Sequence, residues 1–416
     1  MRIEVVNTGT ELLLGKVVNT HASYFGQELF KLGLRVQRQT TIPDGEEIRT
    51  VLENAFPRCD AILITGGLGP TNDDMTREVV AEMLGRTLHL DEDILETINE
   101  MFRSRGLKQN RSNDRQAMVP EGAEVLQNPH GTAPGLYLPA TAEEGSTTPH
   151  LFLLPGPPRE LKPMFAEEVV PRLSSLRDSG DRFDIWHNFR IYGVGESSLA
   201  SKLEPLLEPI EDLELGYCAR LGEVDLRLIG PSAAIETASE IIRAEYAEDI
   251  IVESEESIEE VVQQLLAERG ETVSTAESCT GGNIASTITN ASGSSSVFRQ
   301  GYVTYANEAK QALLGVSAET LEAHGAVSEP VVREMAEGCL RVSGADHAVA
   351  VSGIAGPTGG TEEKPVGTVY VGIASREGET FAKRYFTPSD RVSFKLRVTR
   401  LALDLLRRRL RGFSLD

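Results

Sequence analysis

The stretch Ala61-Ile62-Leu63-Ile64-Thr65-Gly66-Gly67-Leu68-Gly69-Pro70-Thr71-Asn72-Asp73-Asp74 decides the fold of the N-terminal half. Its first five residues read as a strand buried on both faces. A glycine-rich turn ends that strand, and the pattern beyond predicts a helix over Thr71–Leu84. Upstream, Arg2–Thr8 (RIEVVNT) is strand-like. Asn19 or Thr20 then caps a helix running through Lys31, with Phe25, Leu29 and Leu32 on one stripe. Leu34–Ile42 reads as a strand and Glu46–Phe56 as a helix. This βαβαβ order predicts an α/β fold with a doubly wound, mostly parallel sheet and right-handed crossovers. Downstream, a helix over Asp91–Arg105 and a strand over Leu151–Leu154 are expected. Pro155-Gly156-Pro157-Pro158 follows, and then a helix to about Leu173.

A chain of 416 residues has room for two to four domains. With 40% hydrophobic and 25% charged residues it has the composition of a globular protein, and no apolar run is long enough to span a bilayer. The N-terminus lacks the marks of a signal peptide. Cys59, Cys218, Cys279 and Cys339 show neither metal nor disulfide spacing, so a reduced, cytoplasmic setting is expected. A net charge of −22 argues against direct contact with nucleic acid. The basic cluster Arg397–Arg411 has helical periodicity and reads as a solvated helix face.

Two polar stretches divide the chain. Ser174–Asp184 (SSLRDSGDRFD) reads as a linker, and Glu253–Glu260 (ESEESIEE) as a boundary that starts a helix. The expected domains are 1–173, a small α+β module over 185–252 that acts as a spacer, and a C-terminal α/β domain over 255–416. In the module, Gly193-Val194-Gly195-Glu196 joins a strand at Ile185–Tyr192 to a helix at Ser197–Leu207.

Two places carry chemistry. In the first, Gly66, Gly67 and Gly69 allow close approach to a ligand, and amides at a helix start attract phosphate. Asp73 and Asp74 would repel that phosphate unless a divalent cation bridged the two, with Asp74 the first choice of ligand. Helix capping by one aspartate is the alternative. Gly9, Thr10 and Glu11 follow the first strand and share the same sheet edge. Asn128–Gly135 (NPHGTAPG) and Pro155–Pro158 either close that pocket or simply form turns.

The second place is Ala276-Glu277-Ser278-Cys279-Thr280-Gly281-Gly282. A strand over Glu271–Thr275 and a helix from Asn283 make it a strand-to-helix turn, which presents a nucleophile beside helix amides. Ser278 or Thr280 as a mere helix cap is the alternative. Cys279 is the rival nucleophile, although no histidine accompanies it. His324 and His347 read as structural. Ser352–Gly360 (SGIAGPTGG) is rich in backbone amides and suits a phosphate cradle.

The motifs GTELLLGKVVNT (9–20), TGGLGPTNDDMTRE (65–78), NPHGTAPG (128–135) and LPGPPRELKPMF (154–165) resemble the molybdopterin-binding-like domain of the CinA (competence/damage-inducible) family. TAESCTGG (275–282), GYVTYANEAK (301–310), HGAVSEPVVREMAEG (324–338), SGIAGPTGGTEEKPVGTVY (352–370) and FTPSDR (386–391) resemble its nicotinamide-mononucleotide deamidase domain. The resemblance implies a bifunctional hydrolase. Its C-terminal domain would deamidate nicotinamide mononucleotide without a cofactor, and its N-terminal domain would hydrolyse ADP-ribose with a divalent metal. It also implies Ser278 as nucleophile, Lys310 as base, and Tyr305 as proton relay or orienting donor. Thr280, Gly281, Ser352, Gly353, Gly356, Gly359, Gly360 and Arg391 would surround the substrate. A homodimer is expected, with no membrane partner. The alternative is a non-catalytic scaffold that binds nucleotide or pterin and acts with DNA-uptake or repair proteins.

Overall fold

The computed structural model describes residues 1–106, 111–143, 146–177 and 184–415. The chain divides into two compact units, Met1–Phe183 and Asp184–Asp416.

The first unit is built on a six-stranded sheet. The order is Val36–Ile42, Ile3–Thr8, Ala61–Thr65, His150–Leu154, Gly135–Leu138 and Glu124–Leu126. The first four strands are parallel and the last two pairings are antiparallel, so that only Gly135–Leu138 runs in reverse and the doubly wound reading holds with a mixed edge. Successive side chains of a strand point to opposite faces. Ile62, Ile64, Leu151 and Leu153 therefore fill one core layer, while Leu63, Phe152 and Leu154 fill the other. Each such buried side chain stabilises the fold by roughly 2 kcal/mol.

Helices cover both faces. Asn19 Oδ1 accepts from the amides of His21 and Ala22, starting the helix His21–Lys31. Asp91 likewise caps Glu92–Ser104. The helix expected from Thr71 begins only at Thr76 and ends at Met83. Thr71–Asp74 forms a turn instead, in which the Thr71 amide donates to Asp74 Oδ2 at 2.9 Å. The linker expected over Ser174–Asp184 is helical through Leu176, and most of its remainder lies outside the described residues.

The second unit contains two sheets. The antiparallel sheet of the middle segment runs Glu214–Ala219, Glu223–Gly230, Ile185–Tyr192 and Ile250–Val252, with helices Glu196–Leu207 and Ser232–Tyr246. The C-terminal sheet runs Phe298–Val303, Val273–Glu277, His347–Gly353, Thr368–Ser375 and Phe381–Phe386. Its first three strands are parallel and its last two pairings antiparallel, so that only Thr368–Ser375 runs in reverse. The strand Val273–Glu277 runs two residues further than expected, so Ser278 stands directly at its carboxyl end.

The middle segment is not a detached spacer. Arg407, in the terminal helix Arg391–Arg411, is fully buried and donates to the carbonyls of Ile250 and Glu248 as well as to Asp404. Arg400 of the same helix pairs with Glu223 and Glu259. The terminal arginines, expected on a solvated face, are thus partly internal. Among the described residues no helix is long and apolar enough to cross a membrane.

Candidate active site

In the second unit, the parallel strands Val273–Glu277 and His347–Gly353 bring their following loops to one sheet edge. The Ser278 amide donates to the Val351 carbonyl at 3.0 Å, which pins the turn to that edge. Ser278 is 9% exposed, and the fully buried Lys310 places Nζ 3.3 Å from its Oγ. Two carbonyls hold the same nitrogen, Thr304 at 2.9 Å and Tyr305 at 3.4 Å. Burial lowers the Lys310 pKa from the ordinary lysine range, opposed only by the neighbouring Cys279 and Glu308. A desolvated amine prefers its neutral form, the form that accepts a proton.

The thiol beside Ser278 is in the opposite condition. Cys279 is buried in the hydrophobic core, and desolvation pushes its pKa up to about 12. A thiolate there is strongly disfavoured, and Ser278 is the better placed of the two nucleophiles.

Helix Asn283–Asn290 does start behind the turn, yet its amides are already occupied. The buried carboxylate of Glu277 accepts from Gly282 N (2.9 Å), Ile284 N (3.0 Å), Ala285 N (2.8 Å) and Thr280 Oγ1 (2.6 Å). Thr280 is thereby corrected from a substrate contact to a fully buried part of this cap. Gly281 and Gly282, at φ +64° and +97°, take the left-handed conformation the turn requires.

Tyr305 is also reassigned. The residue is 61% exposed, and its hydroxyl accepts from Arg391 Nη2 at 3.1 Å rather than reaching Ser278. It orients Arg391, whose Nη1 donates to the Gly356 carbonyl at 2.9 Å. Ser352 is buried and donates to the Ala326 carbonyl at 2.6 Å, which removes it as a substrate donor. In the glycine loop, a Cβ on Gly353 would lie 2.8 Å from the Thr368 carbonyl oxygen, and one on Gly360 2.7 Å from Val366 N. Gly356 would press on Val366, and Gly359 has φ +91°. These glycines let the loop fold on residues 365–368, and Arg391 ties it to the Tyr305 side.

Sequence reasoning missed two groups here. Glu277 looked like one acidic residue among many. Lys395 lies one turn beyond Arg391 on the terminal helix, and a Cβ built on Gly281 would lie 3.7 Å from its Nζ. A second cation on the face that carries Arg391 was the available signal. His347 is structural as expected, bonded to Glu271 and Ser375.

In the first unit, the loops after three adjacent parallel strands converge. Thr8 Oγ1 donates to the Thr65 carbonyl at 3.2 Å, Thr10 N donates to Asp44 Oδ2 at 3.1 Å, and Gly9 lies against the Glu11 carboxylate. A Cβ on Gly156 would lie 3.7 Å from Gly66 Cα. Gly66 and Gly67, at φ +95° and +67°, leave no room for a side chain against Thr8 and Thr76. Thr76 itself bonds back to the carbonyls of Gly66 and Gly67, so its own amide is already engaged. Gly69 abuts the Asp74 carboxylate, whose Oδ2 also accepts from the Thr71 hydroxyl. Arg115 and the buried Arg77 hold this loop by the carbonyls of Thr71, Asp74 and Leu68. Asn128 and Gly131 rest on Glu160, a buried carboxylate that the sequence did not single out. Among the described residues no group of three or more His, Cys, Asp or Glu side chains is arranged to hold a metal.

A doubly wound N-terminal unit, an antiparallel middle module and a serine–lysine pair on a mixed sheet define a multidomain α/β protein. The chain matches the family models of a probable molybdopterin binding domain over 4–175, the damage-inducible protein CinA KH domain over 187–267, and the CinA C-terminal domain over 255–410. It is 47% identical to a CinA-like protein of Akkermansia muciniphila over 405 residues, covering 97% of this chain and 96% of that one. A relative from Symbiobacterium thermophilum, whose name refers to competence-damage induction, is 46% identical over 99% of this chain and 100% of its own. The crystal structure of the competence/damage inducible protein CihA from Agrobacterium tumefaciens is 45% identical. It covers 36% of this chain and 93% of that one, with a TM-score of 0.35. The chain belongs to the CinA family.

Proposed function

We propose that the second unit hydrolyses the carboxamide of nicotinamide mononucleotide to nicotinate mononucleotide and ammonia. The observation that carries this reading is the 3.3 Å approach of Lys310 Nζ to Ser278 Oγ inside a buried site. Ser278 Oγ attacks the carboxamide carbon while its proton passes to neutral Lys310. The protonated lysine returns that proton to the departing amine, and ammonia leaves. Water then attacks the acyl-serine, with Lys310 again taking and returning a proton, and releases the acid. Arg391 and Lys395 supply positive charge for the phosphate.

For the first unit we propose hydrolysis of ADP-ribose to AMP and ribose 5-phosphate at the loop Gly66–Asp74. Asp73 and Asp74 are two carboxylates, and no third side-chain ligand accompanies them among the described residues. That donor set fits a hard cation of the magnesium type, which takes one or two carboxylates and completes its shell with water and substrate phosphate. Such a cation would neutralise pyrophosphate charge at the loop. The protein's own part is to hold the loop rigid through Arg77 and Arg115.

The test incubates the full chain with each substrate and follows products by mass spectrometry. Wild type should release ammonia from nicotinamide mononucleotide, and Ser278→Ala should not. Ammonia release that survives this substitution sinks the mechanism. An ADP-ribose reaction indifferent to EDTA sinks the metal assignment. Tight binding of both compounds without turnover would favour the scaffold reading.

A further inference from the structure

A cavity of about 190 Å³ opens in the first unit between helix Glu92–Ser104 and the loop Asn128–Pro134. It lies at the sheet edge that carries the Gly66–Asp74 loop. Strand Glu124–Leu126 runs in the same direction as Ala61–Thr65, so Gln127 and Asn128 emerge at the same end as Gly66. Both walls are tied back to that loop. On one side, Asn128 Nδ2 donates to Glu160 at 2.9 Å, four residues on from Gly156, which packs on Gly66. On the other, the Asp91 amide donates to the Ala117 carbonyl at 2.9 Å, and Arg115 just before it holds the carbonyls of Thr71 and Asp74.

The polar groups on the walls can be reached by an occupant. Asp93, Thr97 and Gln127 are exposed, and Asp91 and Thr132 are half-buried. Asp91 uses Oδ1 to cap its helix, accepting from the amides of Asp93 and Ile94, and its Oδ2 has no donor among the described residues. The charge is one-sided. Two carboxylates line the cavity, and among the described residues no lysine or arginine does. A phosphate is repelled from such a lining, whereas a neutral N–H donor is attracted to it.

The remaining wall is apolar, with Ile94, Ile98 and Met101 on the helix and Pro134 opposite. A flat ring with donors on its edge meets both demands, because its face packs on the apolar wall while its edge turns to the carboxylates. A sugar would set hydroxyls against that apolar wall without partners. The volume falls below the roughly 300–1,000 Å³ of sites that enclose a drug-sized ligand, and suits one heterocycle rather than a whole nucleotide.

We propose that this cavity takes the adenine of ADP-ribose, a placement that rests on the reading of ADP-ribose as the first unit's substrate. The exocyclic amine donates to the acceptors of the helix start and of Gln127. The sugar and phosphates run outward to the loop Gly66–Asp74, where the proposed cation meets their charge. Thr97 and Gln127 thereby become determinants of base specificity.

The test is a saturation-transfer NMR titration of the full chain with adenosine, which carries no phosphate and binds without the cation. Saturable binding is expected, at least tenfold weaker for purine riboside, which lacks the amine. It should also weaken at least tenfold in Thr97→Phe, whose ring fills the cavity from an exposed helix position. Gln127→Leu gives a second reading from the opposite wall should Thr97→Phe fail to fold. Absence of saturable binding overturns the proposal, as does affinity unchanged in both variants. Equal affinity for purine riboside overturns recognition of the amine, and a preference for guanosine overturns adenine. Failure of the substrate reading shows separately, as adenosine bound in the cavity by a protein that does not cleave ADP-ribose.

Discussion

Lys310 Nζ stands 3.3 Å from Ser278 Oγ and 2.9 Å from the Thr304 carbonyl oxygen, at a position that is only 1% exposed. The two carbonyls fix the nitrogen, and burial sets its protonation. A charged ammonium would be solvated there by little more than those oxygens, which is why desolvation outweighs the neighbouring Cys279 and Glu308.

The pH dependence of deamidation follows. Activity requires neutral Lys310, so kcat/KM should rise with pH and level off at an inflection below the ordinary lysine value of about 10.4. The linkage has the same sign. A folded-state pKa below the unfolded one means the unfolded chain binds more protons between the two. Wild type should therefore gain stability relative to Lys310→Met as pH climbs through that window. Melting curves of both proteins across pH check this, and a gain on acidification would contradict it.

Cys279 should be dispensable. Its thiol is buried with its pKa raised to about 12, while Cys218 is exposed. Iodoacetamide on the folded protein should label Cys218 first and leave deamidation intact. Inactivation that tracks modification of Cys279, read by peptide mapping, would hand the nucleophile's role to the thiol.

Removing the cap should loosen the site from beneath. Glu277→Ala leaves the amides of Gly282, Ile284 and Ala285 without their acceptor. A stability loss of about 3 kcal/mol is expected in denaturant titration, with lower kcat because Ser278 is the next residue. Glu277→Gln, which keeps an acceptor oxygen, should fall between. Equal stability of all three proteins would show that the cap is idle.

Lys395→Met should separate binding from chemistry. Loss of a charge-assisted contact to phosphate predicts a KM for nicotinamide mononucleotide raised roughly tenfold, with kcat little changed. Nicotinamide riboside, which has no phosphate, should not distinguish the variant from wild type. Steady-state kinetics with the two substrates decide the point.

What the sequence revealed depended on how local the cause was. Ala61–Thr65 and Ile185–Tyr192 are short apolar or alternating runs bounded by turn residues, and both strands were legible. Ser278 and Lys310 were legible through motifs, although 32 residues separate them. Phe381–Phe386 was missed because Lys383 and Arg384 interrupt its apolar residues, as an edge strand permits. The helix at Thr76 was placed too early because Thr71–Asp74 forms its own turn after Pro70. Glu277, Glu160 and Arg407 were invisible as functional or packing residues. Glu160 and Arg407 take partners from distant segments, while Glu277 caps amides just downstream without being one of the usual short capping residues.

The burial of Arg407 bears on how freely the protein can be dismantled. Its guanidinium draws on Asp404 from its own helix and on the carbonyls of Glu248 and Ile250 from the preceding module. A cut near residue 254 would strip away the two carbonyls and leave a cation half-satisfied at the freshly bared surface. The seam between the last two family-model segments is thus a shared wall rather than a hinge. An autonomous C-terminal fragment would need another residue at 407, or water in place of the lost oxygens.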